Sequence, residues 1–555
     1  MRNDRLGDLG PAPGVLRRLA AATARRGLPA PAALTGDWLG SRALIAPSLP
    51  TAGCDPGRVF DVAPAVAPAG GPVVGGGWLG YLSYPDPGAD GRGPRIPEAA
   101  GGWTDHLLRC DRDGQWWFES LRDAPMPAWI AEALAAPEPV APEPVPPAAP
   151  VATAPAVPVA PAAPGTAGTP VAAPASVVPA PEPVATAPEP AATASPIPPV
   201  ARVTPVAPEP AVAPGPPVEC ENIFTLGRER ENIFTLEGSR GLEGARGLEG
   251  ARGLEGARGL EGARGVEGPL GIDGTEPGGA WRIDWRAPDR DRHRDGVLAC
   301  LDAIAAGEVY QACVCTRFTG TLSGSALAFF ADAVTATAPA RAAFLSGPWG
   351  AVASLSPELF LARHGEQLTS SPIKGTLPAS ADPALLRASV KDVAENVMIV
   401  DLVRNDLSRV ASTGSVTVPE LLAVKPAPGV WHLVSTVTAR VAAELPMAAV
   451  LDACFPPASV TGTPKRRARD LLPDWEPARR GIYCGTVGFA SPLAGTELNV
   501  AIRTVEFDAD GHAVFGVGGG ITADSDPDAE WAECLHKAAP TLRLRPTQSR
   551  AASTA

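Results

Sequence analysis

The sequence is short of the residues that build most metal centres. Six histidines and nine cysteines are spread over 555 residues. None of the cysteines stand in C-x-x-C spacing, so a cysteine–histidine zinc site has few ways to form. Cys54, Cys110, Cys220, Cys300, Cys313, Cys315, Cys454, Cys484 and Cys534 are an odd, scattered set, expected as reduced thiols of a cytoplasmic protein. Basic charge is also scarce. The net charge is −13, which argues against nucleic-acid binding, where basic surface must neutralise phosphates. No run of about 18 apolar residues suggests a membrane span. The N-terminus keeps returning to arginine without a clean apolar stretch, so no secretory signal is read there.

Proline is abundant instead, and unevenly placed. Of 65 prolines, 27 fall between Pro137 and Val218, a window without Phe, Trp or Tyr. Such a stretch cannot bury a core and is expected to be extended. From 219 to about 275, ENIFTL occurs twice and Arg-Gly-Leu-Glu-Gly-Ala recurs from Arg240 to Arg264. Glycine at two positions in six opposes helix, and the period is too short for a helical solenoid. The chain therefore divides into four pieces. Residues 1–130 form an N-terminal folded part, 131–275 a long disordered insertion, 276–546 a region of alternating helix and strand signals, and 547–555 a frayed tail.

In the third piece the patterns predict helices over 295–306, 327–337, 382–408, 447–454, 463–472 and 527–538. They predict strands over 309–318, 351–355, 359–362, 434–441, 486–490, 498–504 and 513–517. Asp524-Ser-Asp-Pro527 is a strong helix start. After it, Glu530, Glu533 and Lys537 share one helical stripe, which is either a solvated face or a ligand-binding one. Gly518, Gly519 and Gly520 read as a loop whose backbone amides can approach an anion, a carboxylate as well as a phosphate. Arg503 offers a rigid fork for a carboxylate or closes a structural ion pair. Glu395 sits beside the apolar stripe of the 382–408 helix, an expensive place for a carboxylate unless it is paired or metal-bound. With Glu530 and Glu533 it can make an all-oxygen Mg²⁺ site. Lys374, between proline and glycine, is either a surface lysine or a desolvated nucleophile. His432 either orients a reacting group or serves structure.

These pieces in this order resemble the chorismate-utilising enzymes. The resemblance is carried by Gly307-Glu-Val-Tyr-Gln311, Ser356-Pro-Glu-Leu-Phe-Leu361, Pro372-Ile-Lys-Gly-Thr376, Lys391-Asp-Val-Ala-Glu-Asn396 and Met398-Ile-Val-Asp-Leu-Val-Arg-Asn-Asp-Leu407. It continues through His432-Leu-Val-Ser-Thr436, Ser459-Val-Thr-Gly-Thr-Pro-Lys465, Tyr483-Cys-Gly485, Ala501-Ile-Arg-Thr504 and Gly518-Gly-Gly-Ile-Thr-Ala-Asp-Ser-Asp-Pro527. It covers nearly all of 290–540, and Trp78-Leu-Gly-Tyr-Leu-Ser-Tyr84 looks like the family's N-terminal half.

The resemblance implies an α+β fold of two packed β-sheets flanked by helices, interrupted here by the insertion. It implies chorismate as substrate and Mg²⁺ as cofactor. Lysine in Pro-Ile-Lys-Gly-Thr points to the members that aminate chorismate at C4, aminodeoxychorismate synthase component I. Anthranilate synthase component I usually has alanine there and is the alternative. By resemblance, Lys374 is the nucleophile, Glu358 the general acid and His432 a catalytic-site histidine. Glu395 and Glu533 match metal ligands, and Glu530 a neighbouring carboxylate. Tyr483, Arg503, Lys537, Gly518, Gly519 and Gly520 match positions that hold substrate carboxylates, and Thr461 and Gly462 line the same pocket. A nucleophilic lysine must be neutral, which calls for burial or nearby cations.

Three features depart from the family pattern: Cys313 where asparagine is common, Trp431 before His432, and Phe455-Pro-Pro-Ala-Ser459 in place of a glycine-rich turn. No Gly-x-Cys-x-Gly elbow is present, so ammonia is expected free or from a separate glutamine amidotransferase subunit. From a different class, a Pro-rich scaffold protein would use the insertion as its binding surface.

Overall fold

The computed structural model describes residues 1–85, 93–138, 281–476 and 478–546, and their strands join into two sheets. The larger has 12 strands. In order across it lie Arg2–Gly7, Trp116–Ser120, His106–Cys110, Ser41–Ala46, Ala32–Trp38, Arg341–Gly347, Gly350–Ser356, Thr504–Asp508, His512–Ile521, Gln311–Gly324 and Gly462–Thr463. Trp281–Arg286 also pairs with Gln311–Gly324. The smaller has ten strands: Ile373–Pro378, Val430–Arg440, Gln367–Ser371, Leu359–His364, Gly495–Asn499, Thr486–Ser491, Gly77–Leu82, Ala99–Thr104 and Ala52–Gly53, with Thr417–Ala427 added on Val430–Arg440.

Both sheets are built from both ends of the chain. Ala32–Trp38 pairs antiparallel with Arg341–Gly347, placing Ala33 against Phe344. Gly77–Leu82 pairs antiparallel with Thr486–Ser491, placing Gly80 against Gly488. The parts before and after the insertion therefore make one interleaved body. The α+β architecture of two packed sheets agrees with expectation.

Strand alternation sorts the side chains onto two faces. On Gly350–Ser356, Val352 points between the sheets with Leu34, Leu44, Tyr81, Val487 and Phe489. Ala351, Ala353 and Leu355 point to the opposite side, with Phe329, Phe330, Phe507 and Phe515. There the helices Ala12–Arg26, Ala326–Thr337 and Pro527–Leu542 cover the larger sheet. A third core places Ile399 and Val403 of the helix Val390–Ser408 against Leu361, Leu368 and Val437 of the smaller sheet. Each fully buried Phe or Leu contributes about 1.5–3 kcal/mol.

Several expected boundaries move. The helix Ala128–Ala135, with Ile130 and Leu134 buried, runs through the boundary read at 130/131. The disorder expected over 131–275 otherwise falls on 139–275, outside the described residues, as does the tail 547–555. The helix read over 382–408 is two, Ala384–Ala388 and Val390–Ser408. Ser389 breaks it, being extended and accepting from the Asp392 amide as a new N-cap. The strand read over 498–504 is also two. Gly495–Asn499 lies in the smaller sheet and Thr504–Asp508 in the larger, so Val500–Arg503 crosses between them.

Candidate active site

The glycine triplet is strand, not loop. His512–Ile521 pairs with Gln311–Gly324, setting Cys313 opposite Gly520 and Cys315 opposite Gly518. A backbone ladder needs no side chains, and none of the three glycines has a left-handed φ. Their value is space. A Cβ on Gly520 would lie 2.8 Å from Gln311 Nε2, 3.3 Å from Lys374 Nζ and 3.4 Å from Glu395 Oε1. A Cβ on Gly519 would lie 2.6 Å from Glu530 Oε2. The bare strand brings a wall of amides and carbonyls against charged side chains from three other elements.

Lys374 belongs to the strand Ile373–Pro378, at the edge of the smaller sheet. Its side chain is 12% exposed, with Nζ 3.9 Å from Glu395 Oε2. The neighbouring strand brings His432 opposite Thr376, and Thr376 Oγ1 shares a 2.9 Å hydrogen bond with His432 Nδ1. His432 Nε2 is buried without a partner. Burial, with help from the positive charge of Arg503, lowers the His432 pKa to about 4, so the ring is neutral at pH 7.

Glu358 is buried just before Leu359–His364. Its backbone is fixed at both ends, the amide donating to Ser356 Oγ and the carbonyl accepting from the Val500 amide. Burial pushes its pKa up to about 6, against the pull of a Ser459 hydrogen bond, Lys374 and Arg503. Arg503 is not on a strand, as its sequence setting suggested. It sits at the crossing between the sheets with φ 51°, where it too is buried enough to lower its pKa. Tyr483 packs against the glycine strand, its Cγ 2.2 Å from where a Cβ on Gly516 would lie. Thr461 is buried and donates to the Pro457 carbonyl. A Cβ on Gly462 would lie 2.7 Å from the Gln311 carbonyl.

The acidic groups converge from two helices. Glu395 is buried on Val390–Ser408, and burial raises its pKa. Lys374 and Lys391 oppose that shift, whereas Glu533 and Glu530 reinforce it. Glu530 is buried on Pro527–Leu542, its Oε1 accepting from Ser525 Oγ at 2.7 Å and Lys391 Nζ at 3.2 Å. Its Oε2 is buried with no partner. Glu533, one turn on, pairs with Lys537 at 2.7 Å, and Lys537 also donates to the Gly518 carbonyl. Burial would raise the Glu533 pKa, but Lys537, together with Lys391 and Lys374, outweighs it and holds the carboxyl below its usual value. Among the described residues, Asp508, Asp510 and His512 form the one acidic or histidine group with ligand atoms all within 4.8 Å. It lies at the opposite end of the glycine strand. Glu395, Glu530 and Glu533 are gathered but not closed into a cage.

Two groups in this site stood in quoted motifs of the sequence but were given no role there. Gln311 is buried, its Oε1 without a partner and its amide nitrogen against Gly520. Its place two and four residues before Cys313 and Cys315 puts all three on one face of a strand, the signal that could have found it. Lys391 read only as the first residue of a helical motif.

Residues 276–543 match the model of the chorismate binding enzyme family. The same region is similar to aminodeoxychorismate synthase component 1. The protein of that name from Klebsiella aerogenes is 43% identical over 265 residues, 46% of this chain and 58% of its own. That from Escherichia coli (strain K12) is 40% identical over 262 residues, again 46% and 58%. The chain thus spans 58% of the length of each. The solved anthranilate synthase component I from Streptococcus pneumoniae TIGR4 shares the fold over 87% of this chain and 84% of its own, with a TM-score of 0.52 at 19% identity. Among the described residues no helix is long and apolar enough to cross a membrane.

Proposed function

We propose that this chain aminates chorismate at C4, giving 4-amino-4-deoxychorismate for para-aminobenzoate or a related aromatic amine. The ammonia is free or delivered by a separate glutamine amidotransferase subunit. The observation that carries this reading is the placement of Lys374: nearly buried, beside Glu395, and facing the space left by Gly520.

In this reading the Lys374 amine bonds to chorismate C2. Both ring double bonds shift, and the C4 hydroxyl leaves as water with the proton of Glu358, whose raised pKa keeps part of it protonated near neutrality. Ammonia then bonds to C4 and gives up a proton to the Glu358 carboxylate, both double bonds shift back, and the lysine nitrogen is released from C2. Arg503, Lys537, Tyr483 and the amides of Gly518, Gly519 and Gly520 hold the two substrate carboxylates, with Thr461 and Gly462 completing the pocket. His432, neutral and fixed by Thr376, turns its free Nε2 to the reacting hydroxyl.

The carboxylates of Glu395, Glu530 and Glu533 suit a hard divalent cation, and the unpartnered Glu530 Oε2 is the orphan a metal would satisfy. Bound there, Mg²⁺ would offset the charge of the ring carboxylate. Incubating the purified chain with chorismate, Mg²⁺ and ammonium tests the reading. Mass spectrometry should find 4-amino-4-deoxychorismate; anthranilate or isochorismate would replace it with a different member of the family.

A further inference from the structure

Each carboxylate assigned to the ion is met by a lysine. Lys374 lies 3.9 Å from Glu395, Lys391 3.2 Å from Glu530 and Lys537 2.7 Å from Glu533. Lys374 and Lys537 have work to do with the substrate. Lys391 has none in the proposed reaction.

Its position is also a poor one for a lysine. It occupies the first turn of Val390–Ser408, where the helix dipole favours negative charge. The helix start is already capped by Ser389 and carries Asp392. What Lys391 does have is Glu530. The Glu530 side chain is 3% exposed and that of Lys391 48%. A buried carboxylate without a counter-charge is costly, and a half-exposed lysine on a flexible stem can supply one and withdraw again.

We propose that Lys391 is a positioning residue acting through Glu530: a placeholder cation that neutralises this carboxylate while the metal is absent and is displaced when the metal binds. The inference rests on the reading of Glu395, Glu530 and Glu533 as the metal site. A dication on Glu530 would stand beside the ammonium, and like charges at that range repel. Of the two, Lys391 is the one with solvent to move into. Metal binding at this site is then an exchange of one cation for another, and the lysine weakens it.

The test is Mn²⁺ binding to the full chain without chorismate, read from the loss of the free-ion paramagnetic resonance signal. Lys391→Met should tighten Mn²⁺ about five- to tenfold, the strength of a partly exposed ion pair next to a buried group. Lys391→Arg keeps a competing cation and should stay near the parent. In a Glu530→Gln background, Lys391→Met should no longer change the affinity, because the exchange needs the Glu530 charge. Unchanged or weaker Mn²⁺ binding in Lys391→Met would overturn the proposal, as would an effect that persists in Glu530→Gln. Glu395→Gln separates the two readings. If it leaves Mn²⁺ binding intact, the ion lies elsewhere and the metal-site reading falls together with this one.

Discussion

Thr376 and His432 face each other across two strands of the smaller sheet, and the hydroxyl of one holds the Nδ1 of the other at 2.9 Å. That contact turns the opposite ring nitrogen, Nε2, into a buried group with no protein partner. The ring is fixed in direction and kept neutral.

This has a consequence for stability. The folded His432 pKa of about 4 lies below its ordinary value of 6.5. Above pH 6.5 neither folded nor unfolded ring is protonated, so the group is neutral to stability there. As pH falls from 6.5 towards about 4 the unfolded ring takes a proton that the folded ring refuses, and stability is lost. Relative to His432→Asn, the parent should lose on the order of 2–3 kcal/mol across that window. Denaturant unfolding at several pH values would measure it. Parallel curves for parent and variant would contradict the buried neutral ring.

Glu358 behaves in the opposite sense. Its folded pKa of about 6 lies above the usual 4.5. The native state therefore prefers the protonated form, and the cost of the buried charge is fully present above about pH 6 and gone below 4.5. Glu358→Gln should raise stability by about 1–2 kcal/mol at pH 8 and have little effect at pH 4. The same change should lower kcat by about 10²- to 10⁴-fold, the usual contribution of a general acid. A variant that is inactive and less stable at pH 8 would mean that Glu358 is held charged for structure.

The glycine strand can be probed one residue at a time. Gly520→Ala places a methyl group 3.3 Å from Lys374 Nζ and 2.8 Å from Gln311 Nε2, and should weaken substrate binding and turnover together. Gly519→Ala presses on Glu530 Oε2 at 2.6 Å and should weaken metal binding more than substrate binding. Neither position has a left-handed φ, so both changes act by volume rather than by backbone strain. Separate titrations of Mn²⁺ and of chorismate would show the split; equal effects of the two variants on both ligands would contradict it.

The candidate site was legible in the sequence where its chemistry would be carried by a residue type in a local motif. Lys374 between proline and glycine, and the stripe of Glu530, Glu533 and Lys537, are of that kind. It was not legible where the backbone decides. Gly518, Gly519 and Gly520 have no side chains to show a strand period, yet they pair with Cys315, Val314 and Cys313 through backbone groups alone. Arg503 stands in an apolar run that looks like continuous strand, but the chain changes sheets there and φ turns positive. Ser389 reads as one more helical residue until its hydroxyl is seen starting a new helix. Lys391 and Gln311 gain meaning only from partners more than a hundred residues away. The fold class was legible because both sheets are amphipathic by period, but the interleaving of the chain's two ends rests on long-range pairings that no local pattern records.

The central claim is that Lys374 forms a bond to the substrate. The most direct measurement is product identity and intact protein mass after incubation with chorismate and Mg²⁺, with and without ammonium, for the parent and for Lys374→Ala. The account predicts 4-amino-4-deoxychorismate from the parent with ammonium, an adduct on the parent when ammonium is withheld, and neither from the variant. The same aminated product from Lys374→Ala at an undiminished rate would contradict it.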